Sequence, residues 1–418
     1  MEGFIKYLKN TGWLLGTRFY GMGIGFFVTI LVTRYLGPEN FGTLNYAISF
    51  AGLFGFIANL GLDQVIYRDL IKHPEKEGVL LGTSIALRLV ASIVSIVIIA
   101  ISAAFVEDVG FIFFLILIVS GAYIFQSLNL INYVFQARVK SHIPSIASII
   151  AITLLALAKL ACVYYGKGIY YFAGIYTLEP ILYGAIFLMF YKRHAGSFKA
   201  WRYDRKVAKE LLIESSPLLL SSIFIGIYSR IDQVLIKQMI DVKSVGIYDA
   251  AVRLSELWYF IPAILISSLF PAIVNIRDHD RKKYAQRIFS LAGMLLGLSI
   301  VAGLVISLLS YYVILIVYGE QYVEGSKVLQ LYVWSGIGVS LGTLINQYLI
   351  TEKLAKITLY LSIIGMVINV ALNLLLIPRY GINGSAFATL VSYIVGPLAV
   401  MLFASSRKEI KILFKNLA

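Results

Sequence analysis

Apolar runs of about twenty residues recur from one end of the chain to the other, separated by short polar breaks. At 1.5 Å per residue, a helix of that length crosses the roughly 30 Å hydrocarbon layer of a bilayer. The pattern predicts twelve such helices. They start near Trp13, Phe41, Leu80, Phe111, Ile143 and Ile169 in the first half, and near Ser215, Val245, Ile288, Lys327, Ala355 and Ile382 in the second. Pro217, Pro262, Pro271 and Pro397 fall within spans, so kinks are expected where neighbouring helices satisfy the freed backbone groups. The longest polar break, residues 192–210, lies at the midpoint and reads as a linker. The expected fold is an all-α polytopic membrane protein with twelve transmembrane helices in two six-helix lobes around a central cavity. Its expected parts are an N-terminal lobe over 1–191, a cytoplasmic linker over 192–214, a C-terminal lobe over 215–404 and a basic cytoplasmic tail over 405–418.

The halves echo each other weakly but in order. Gly42, Asn45, Tyr46 and Ala47 align with Gly246, Asp249, Ala250 and Ala251, and Gly168, Ile169 and Ala173 align with Gly381, Ile382 and Ala386. Because six is even, a second six-helix copy enters the membrane from the same side, giving parallel repeats about an axis along the membrane normal. The competing reading is chance alignment of glycine-containing helix starts.

Composition agrees with this pattern. Of 418 residues, 59% are hydrophobic and 14% charged, the mean hydropathy is +0.84, and an ordinary soluble domain is about 45–50% apolar. No room remains for a soluble domain. The net charge of +14 comes from 36 Lys and Arg against 22 Asp and Glu, and the excess lies in the breaks, which argues for an anionic leaflet and against nucleic acid. By the positive-inside bias both termini are cytoplasmic, because the short odd-numbered loops hold only Arg34, Lys167, Lys237, Lys243, Lys327 and Arg379. The N-terminal MEGFIKYLKN runs into a long span without a small-residue cleavage site and reads as mature sequence. The single Cys162 excludes an internal disulfide and a thiolate cluster.

Ten charges remain inside spans: Arg18, Arg88, Lys159, Arg230, Arg253, Asp63, Glu179, Asp232, Asp249 and Glu256. Each costs about 2.5–3.5 kcal/mol at a bilayer centre unless paired or wet, so a polar interior is implied. Asp249, Arg253 and Glu256 share one helix face, where two carboxylates can flank the guanidinium as a salt bridge or frame a substrate-facing cation. Arg18 and Arg88 have no acid one turn away and are the first candidates for an unpaired, phosphate-binding role, since the guanidinium fork binds phosphate oxygens bidentately. Lys159 is expected to snorkel or to pair with Glu179. Asn129, Asn132 and Gln136, with Gln126 before them, form an amide stripe that can meet sugar hydroxyls or join helices. Gly12, Gly16, Gly21, Gly23 and Gly25 read first as close-packing positions and second as a gate hinge. No P-loop, H-E-x-x-H or G-x-S-x-G motif occurs, and no catalytic constellation emerges.

The segment Arg34-Tyr-Leu-Gly-Pro-Glu-Asn-Phe-Gly-Thr-Leu-Asn-Tyr-Ala47, followed by Gly61-Leu62 and Arg68, resembles the polysaccharide-transporter family of lipid-linked oligosaccharide flippases. Arg230-Ile-Asp-Gln-Val-Leu-Ile236, Val245-Gly-Ile-Tyr-Asp-Ala250, Phe270-Pro-Ala-Ile273, Tyr318-Gly319-x-x-Tyr322 and Tyr380-Gly-Ile-Asn-Gly-Ser-Ala-Phe-Ala-Thr389 are similar to later landmarks of that family, in the same order. The larger group includes multidrug and toxin extrusion transporters and lipid II flippases, and the resemblance implies their two-lobed fold. In lipid II flippases, arginines in the first and eighth helices meet the carrier pyrophosphate, and Arg18 and Arg253 occupy similar places. The same resemblance implies a sodium site from Asp232, Asn369, Asn373, Thr389 and the backbone carbonyl of Ser385. Asn373 stands where a second carboxylate is expected, which leaves one formal charge, so weaker Na⁺ binding and a proton on Asp232 compete, beside plain helix packing by the asparagines.

The expected function is translocation of a polyprenyl-(pyro)phosphate-linked oligosaccharide from the inner to the outer leaflet of the cell membrane by alternating access, for surface polysaccharide or glycan synthesis. The protein is expected not to be an enzyme, and Na⁺ or H⁺ is the candidate coupling ion. Expected partners are the lipid-linked oligosaccharide, membrane lipid and polysaccharide-assembly enzymes. A cation-coupled multidrug exporter, a lipid II flippase and a non-transporting member of an assembly complex are the alternatives.

Overall fold

The computed structural model describes residues 2–415, with side chains from residue 12 onward. Met1 and residues 416–418, the end of the expected basic tail, lie outside the described residues. Among those described there is no strand. Ten helical segments are long and apolar enough to cross a membrane: α1 (Gly12–Gly52), α2 (Pro74–Val106), α3 (Phe111–Ala137), α4 (His142–Tyr164), α5 (Ile169–His194), α6 (Arg205–Met239), α7 (Val242–Val274), α8 (Arg281–Tyr318), α9 (Gly325–Thr351) and α10 (Ala355–Leu402). Two of these continuous stretches each contain two of the twelve expected spans. Helix α1 is interrupted at Gly37 (φ 68°, ψ 170°), just before Pro38, and α10 at Gly381 (φ 59°, ψ −142°). Both are backbone conformations that a Cβ would strain. The expected starts near Phe41 and Ile382 lie just past these breaks.

Contacts divide the chain into two compact units, with the division between Gly226 and Ile227. The first part of α6 therefore packs with the first unit, although the second lobe was expected to open near Ser215. The helix also starts earlier than its apolar run. Asp204 accepts from the backbone N–H groups of Lys206 (2.7 Å) and Val207 (3.0 Å), an N-cap that lets Arg205–Tyr228 form one helix through polar first turns. The remainder of the expected linker docks on α2. Arg202 donates its N–H to the Gly78 carbonyl at 3.3 Å, and the Asp204 N–H is donated to the Thr83 hydroxyl at 3.0 Å. A Cβ on Gly78 would collide with the Ala200 carbonyl.

The core of the first unit gathers Leu62, Ile66, Leu81, Leu130, Phe135, Ala147 and Phe187, and that of the second gathers Ile266, Phe270, Tyr284, Leu295 and Leu344. Large apolar side chains such as Phe105, Leu308 and Ile316 point outward and are exposed, an arrangement that a lipid solvent permits and water does not favour. Asp241 caps α7 by accepting from the Ser244 N–H at 2.7 Å, and Asp280 caps α8 by accepting from the Lys283 N–H at 2.8 Å. The basic tail is a helix, Ala404–Lys415, whose Leu413 joins the core of the second unit. Of the five α1 glycines expected at close-packing positions, Gly21 alone has a neighbour near its missing Cβ, Ile152; the other four face open space.

Candidate functional site

In the second unit, five residues that the sequence singled out come together. Asp232 lies on Ile231–Met239, the last helical stretch of α6, Asn369 and Asn373 lie one turn apart on α10 before its break, and Ser385 and Thr389 lie after it. The break at Gly381 reverses the chain so that the two arms of α10 face each other. Thr389 donates its hydroxyl to Asp232 Oδ2 at 2.7 Å, and Asn373 Nδ2 reaches Asp232 Oδ1 at 3.5 Å. Asn369 Nδ2 is 3.3 Å from both Thr389 Oγ1 and Ser392 Oγ, and the Ser385 carbonyl is 3.2 Å from Thr389 Oγ1. Asp232 is 6% exposed, and Asn369, Asn373 and Ser385 are fully buried.

Sequence reasoning missed one partner, Tyr248 of α7, which donates its hydroxyl to Asp232 Oδ2 at 2.8 Å. Nothing distinguishes it from the other 27 tyrosines except that it follows the Val245-Gly246-Ile247 landmark. A lone buried carboxylate without a cationic partner is costly, and here it is compensated by hydroxyl and amide donors. Two buried oxygens, Asn373 Oδ1 and Ser385 Oγ, have no hydrogen-bond partner. A carboxylate, amide oxygens, a hydroxyl and a backbone carbonyl form an all-oxygen donor set, the kind that suits a hard cation. No group of three or more His, Cys, Asp or Glu occurs among the described residues.

Beside this cluster, Arg253 Nε donates to Asp249 Oδ2 at 2.6 Å, and Gln233 donates to Asp249 Oδ1 at 3.3 Å. Glu256, one turn further along the same helix, accepts from the Tyr332 hydroxyl at 3.2 Å. The Arg253 side chain is 44% exposed.

The first unit holds a second polar constellation, a cavity of about 530 Å³ lined among others by Asp63, Arg88, Asn129, Asn132, Tyr133 and Glu179. The helix Leu62–Lys72 supplies Asp63, α2 supplies Arg88, α3 supplies the amides and Tyr133, and α5 supplies Glu179. The expected unpaired state of Arg88 is corrected: its Nη2 lies 2.8 Å from Asp63 Oδ1, and its Nε donates to the Asn59 carbonyl at 3.2 Å. The carboxylate comes from another helix, where a search one turn away cannot find it. Arg88 is 2% exposed, and its contact with Asp63 is an ion pair rather than an aligned hydrogen bond. Among the described residues no ion pair joins Lys159 to Glu179, which leaves the snorkelling alternative for Lys159. Arg18 on α1 is exposed, and no hydrogen bond or ion pair of its side chain occurs among the described residues.

Comparison with known proteins bears on these constellations. The family model described as polysaccharide biosynthesis protein matches residues 7–277, and the MatE model matches 217–375. The probable flippase AglR of Haloferax volcanii is 32% identical over 180 residues, which is 41% of this chain and 37% of AglR. The probable low-salt glycan biosynthesis flippase Agl15 of the same organism is 25% identical over 215 residues, 51% of this chain and 45% of that protein. These matches thus span less than half the length of the curated relatives. The fold is similar to that of the lipid II flippase MurJ in an inward closed conformation, with TM-score 0.71, 18% identity and coverage of 96% of this chain and 89% of that one. It is also similar to an inward-facing multidrug resistance MATE transporter, with TM-score 0.68, 14% identity and 96% of both chains covered.

Proposed function

From the premise that the chain belongs to the polysaccharide biosynthesis protein family, we propose that it moves a polyprenyl-(pyro)phosphate-linked oligosaccharide from the cytoplasmic to the outer leaflet of the cell membrane. The observation that carries the reading is a set of basic and amide side chains on the helices of two all-helical units that also expose large apolar side chains. Arg18 of the first unit is exposed, the Arg253 side chain of the second is 44% exposed, and each would bind phosphate oxygens. Asn129 and Asn132 would meet sugar hydroxyls, with Arg88 beside them in its ion pair with Asp63. The lipid tail would stay in the bilayer. The relatives named as flippases and the two-state repertoire of similar folds, which includes inward-facing and outward-facing MATE transporters, support alternating access.

The energetics are favourable. Carrying two negative charges outward across an inside-negative potential of about 100 mV, the direction in which that potential drives anions, releases about 4.6 kcal/mol, at about 2.3 per charge. A coupling cation would then serve to reset the empty carrier. Asp232, Asn369, Asn373, Thr389 and the Ser385 carbonyl would hold Na⁺, and the unpartnered buried Oδ1 of Asn373 supports that fit. A bound cation would neutralise the one formal charge of the cluster; a proton on Asp232 would do the same. Both termini would face the cytoplasm, and polysaccharide-assembly enzymes would supply or consume the substrate.

Depletion of the protein in its own cells tests this reading. Lipid-linked glycan should accumulate in a form that only an inner-leaflet reagent modifies. Unchanged glycan export after full depletion would refute it. A multidrug-export role would instead show as sensitivity to organic cations with glycan levels unaltered.

A further inference from the structure

The cavity of the first unit is not built for phosphate. Its one arginine, Arg88, is buried and already engaged by Asp63, and Glu179 adds a second carboxylate, so the three charges sum to one formal negative. An anionic group entering there would have to displace Asp63 and face Glu179. What the wall lacks is hydrogen-bond donors from a ligand. Asn129 Oδ1 and Asn132 Oδ1 are buried with no partner, Glu179 has none among the described residues, and the Asp63 side chain remains 42% exposed beside its ion pair. These unpartnered acceptors suit a ligand that brings hydroxyl or amino donors. Tyr133, Tyr176 and Tyr183 bring aromatic faces to the same space, and such faces pack on the C–H surface of a pyranose. The volume of about 530 Å³ lies within the range of small-ligand sites, about 300–1,000 Å³.

We propose that this cavity is a subsite for a sugar ring of the translocated glycan, selective for an uncharged or amino-bearing ring and discriminating against a uronate. The proposal deepens the flippase reading and rests on it for the identity of the carrier. Phosphate binding is then left to Arg18 and Arg253, and Arg88 acts as a positioning residue that fixes Asp63 as an acceptor.

The test is native mass spectrometry of the purified full chain with three probes: bare polyprenyl pyrophosphate, the same carrier bearing an N-acetylhexosamine disaccharide, and the carrier bearing that disaccharide with one ring replaced by a hexuronate. The neutral disaccharide should bind about tenfold tighter than the bare carrier, and the hexuronate should show no such gain. Glu179→Gln should restore about tenfold of hexuronate binding and leave bare-carrier binding unchanged. Asn129→Ala with Asn132→Ala should lose the sugar increment alone. The proposal is overturned if the disaccharide adds nothing, if hexuronate binds as tightly as the neutral sugar, or if Glu179→Gln shifts the bare carrier equally. Saccharide binding without any binding of the bare carrier would refute the phosphate part of the flippase reading and leave the subsite standing. No binding of any probe by a protein that still unfolds cooperatively would overturn both.

Discussion

Thr389 donates a 2.7 Å hydrogen bond to Asp232 across a sequence separation of 157 residues, so the carboxylate of this buried polar cluster is held by a hydroxyl from beyond the break in α10. If the cluster binds Na⁺, replacing choline by Na⁺ should raise the thermal unfolding midpoint of the wild type. At a hundredfold excess over the dissociation constant, the stabilisation is about 2.7 kcal/mol. Asp232→Asn should abolish this response, and Thr389→Ala should weaken it. A sodium response of equal size in the Asp232→Asn protein would eliminate the site.

The Arg88–Asp63 pair predicts an asymmetry. Arg88 is buried, whereas Asp63 is 42% exposed toward the polar cavity. Removing Asp63 strands a buried charge, a change that costs about 3–5 kcal/mol. Removing Arg88 leaves a carboxylate that water can reach. Asp63→Asn should therefore destabilise more than Arg88→Ala, and the double variant should recover part of the loss. Equal costs in a denaturant titration would mean that the pair is wetter than its burial implies.

Asp204 sets the start of the helix Arg205–Tyr228. Asp204→Ala should cost about 1 kcal/mol, as lost N-caps do, and should raise hydrogen exchange at residues 205–208 more than elsewhere. Uniform exchange across the helix in both proteins would show that packing, not the cap, fixes this end.

Gly338 of α9 lies so close to α10 that a Cβ would collide with the Tyr393 carbonyl, whereas a Cβ on Gly297 of α8 meets nothing. Gly338→Ala should destabilise by about 1–3 kcal/mol through overpacking. Gly297→Ala should be neutral or stabilising by up to about 1 kcal/mol, because alanine favours the helix. Similar unfolding midpoints for the two variants would contradict the packing.

Hydropathy exposed the helices to sequence reasoning because lipid imposes long apolar runs. It placed the start of α6 late, since the first turns of Arg205–Tyr228 are polar and stand on a cap rather than on apolar periodicity. The Asn369–Asn373 spacing was legible as one face of a helix, and the resemblance supplied Asp232 and Thr389 across the chain. Tyr248 was not legible, because a tyrosine carries no signal of where its hydroxyl points. Arg88 was misjudged for a related reason. Its carboxylate sits on a different helix, and pairing across helices depends on tertiary approach that local spacing does not encode.

The measurement that bears most directly on the central claim is translocation of a fluorescent polyprenyl-pyrophosphate saccharide in proteoliposomes, scored by protection from an external quencher. The wild type should move label between leaflets, faster with the potential oriented to draw anions toward the receiving side. Arg18→Ala should slow transfer about tenfold or more, the loss expected for a charge-assisted contact of about 1.5–3 kcal/mol. No transfer by folded wild-type protein under an imposed potential and Na⁺ gradient would contradict the account.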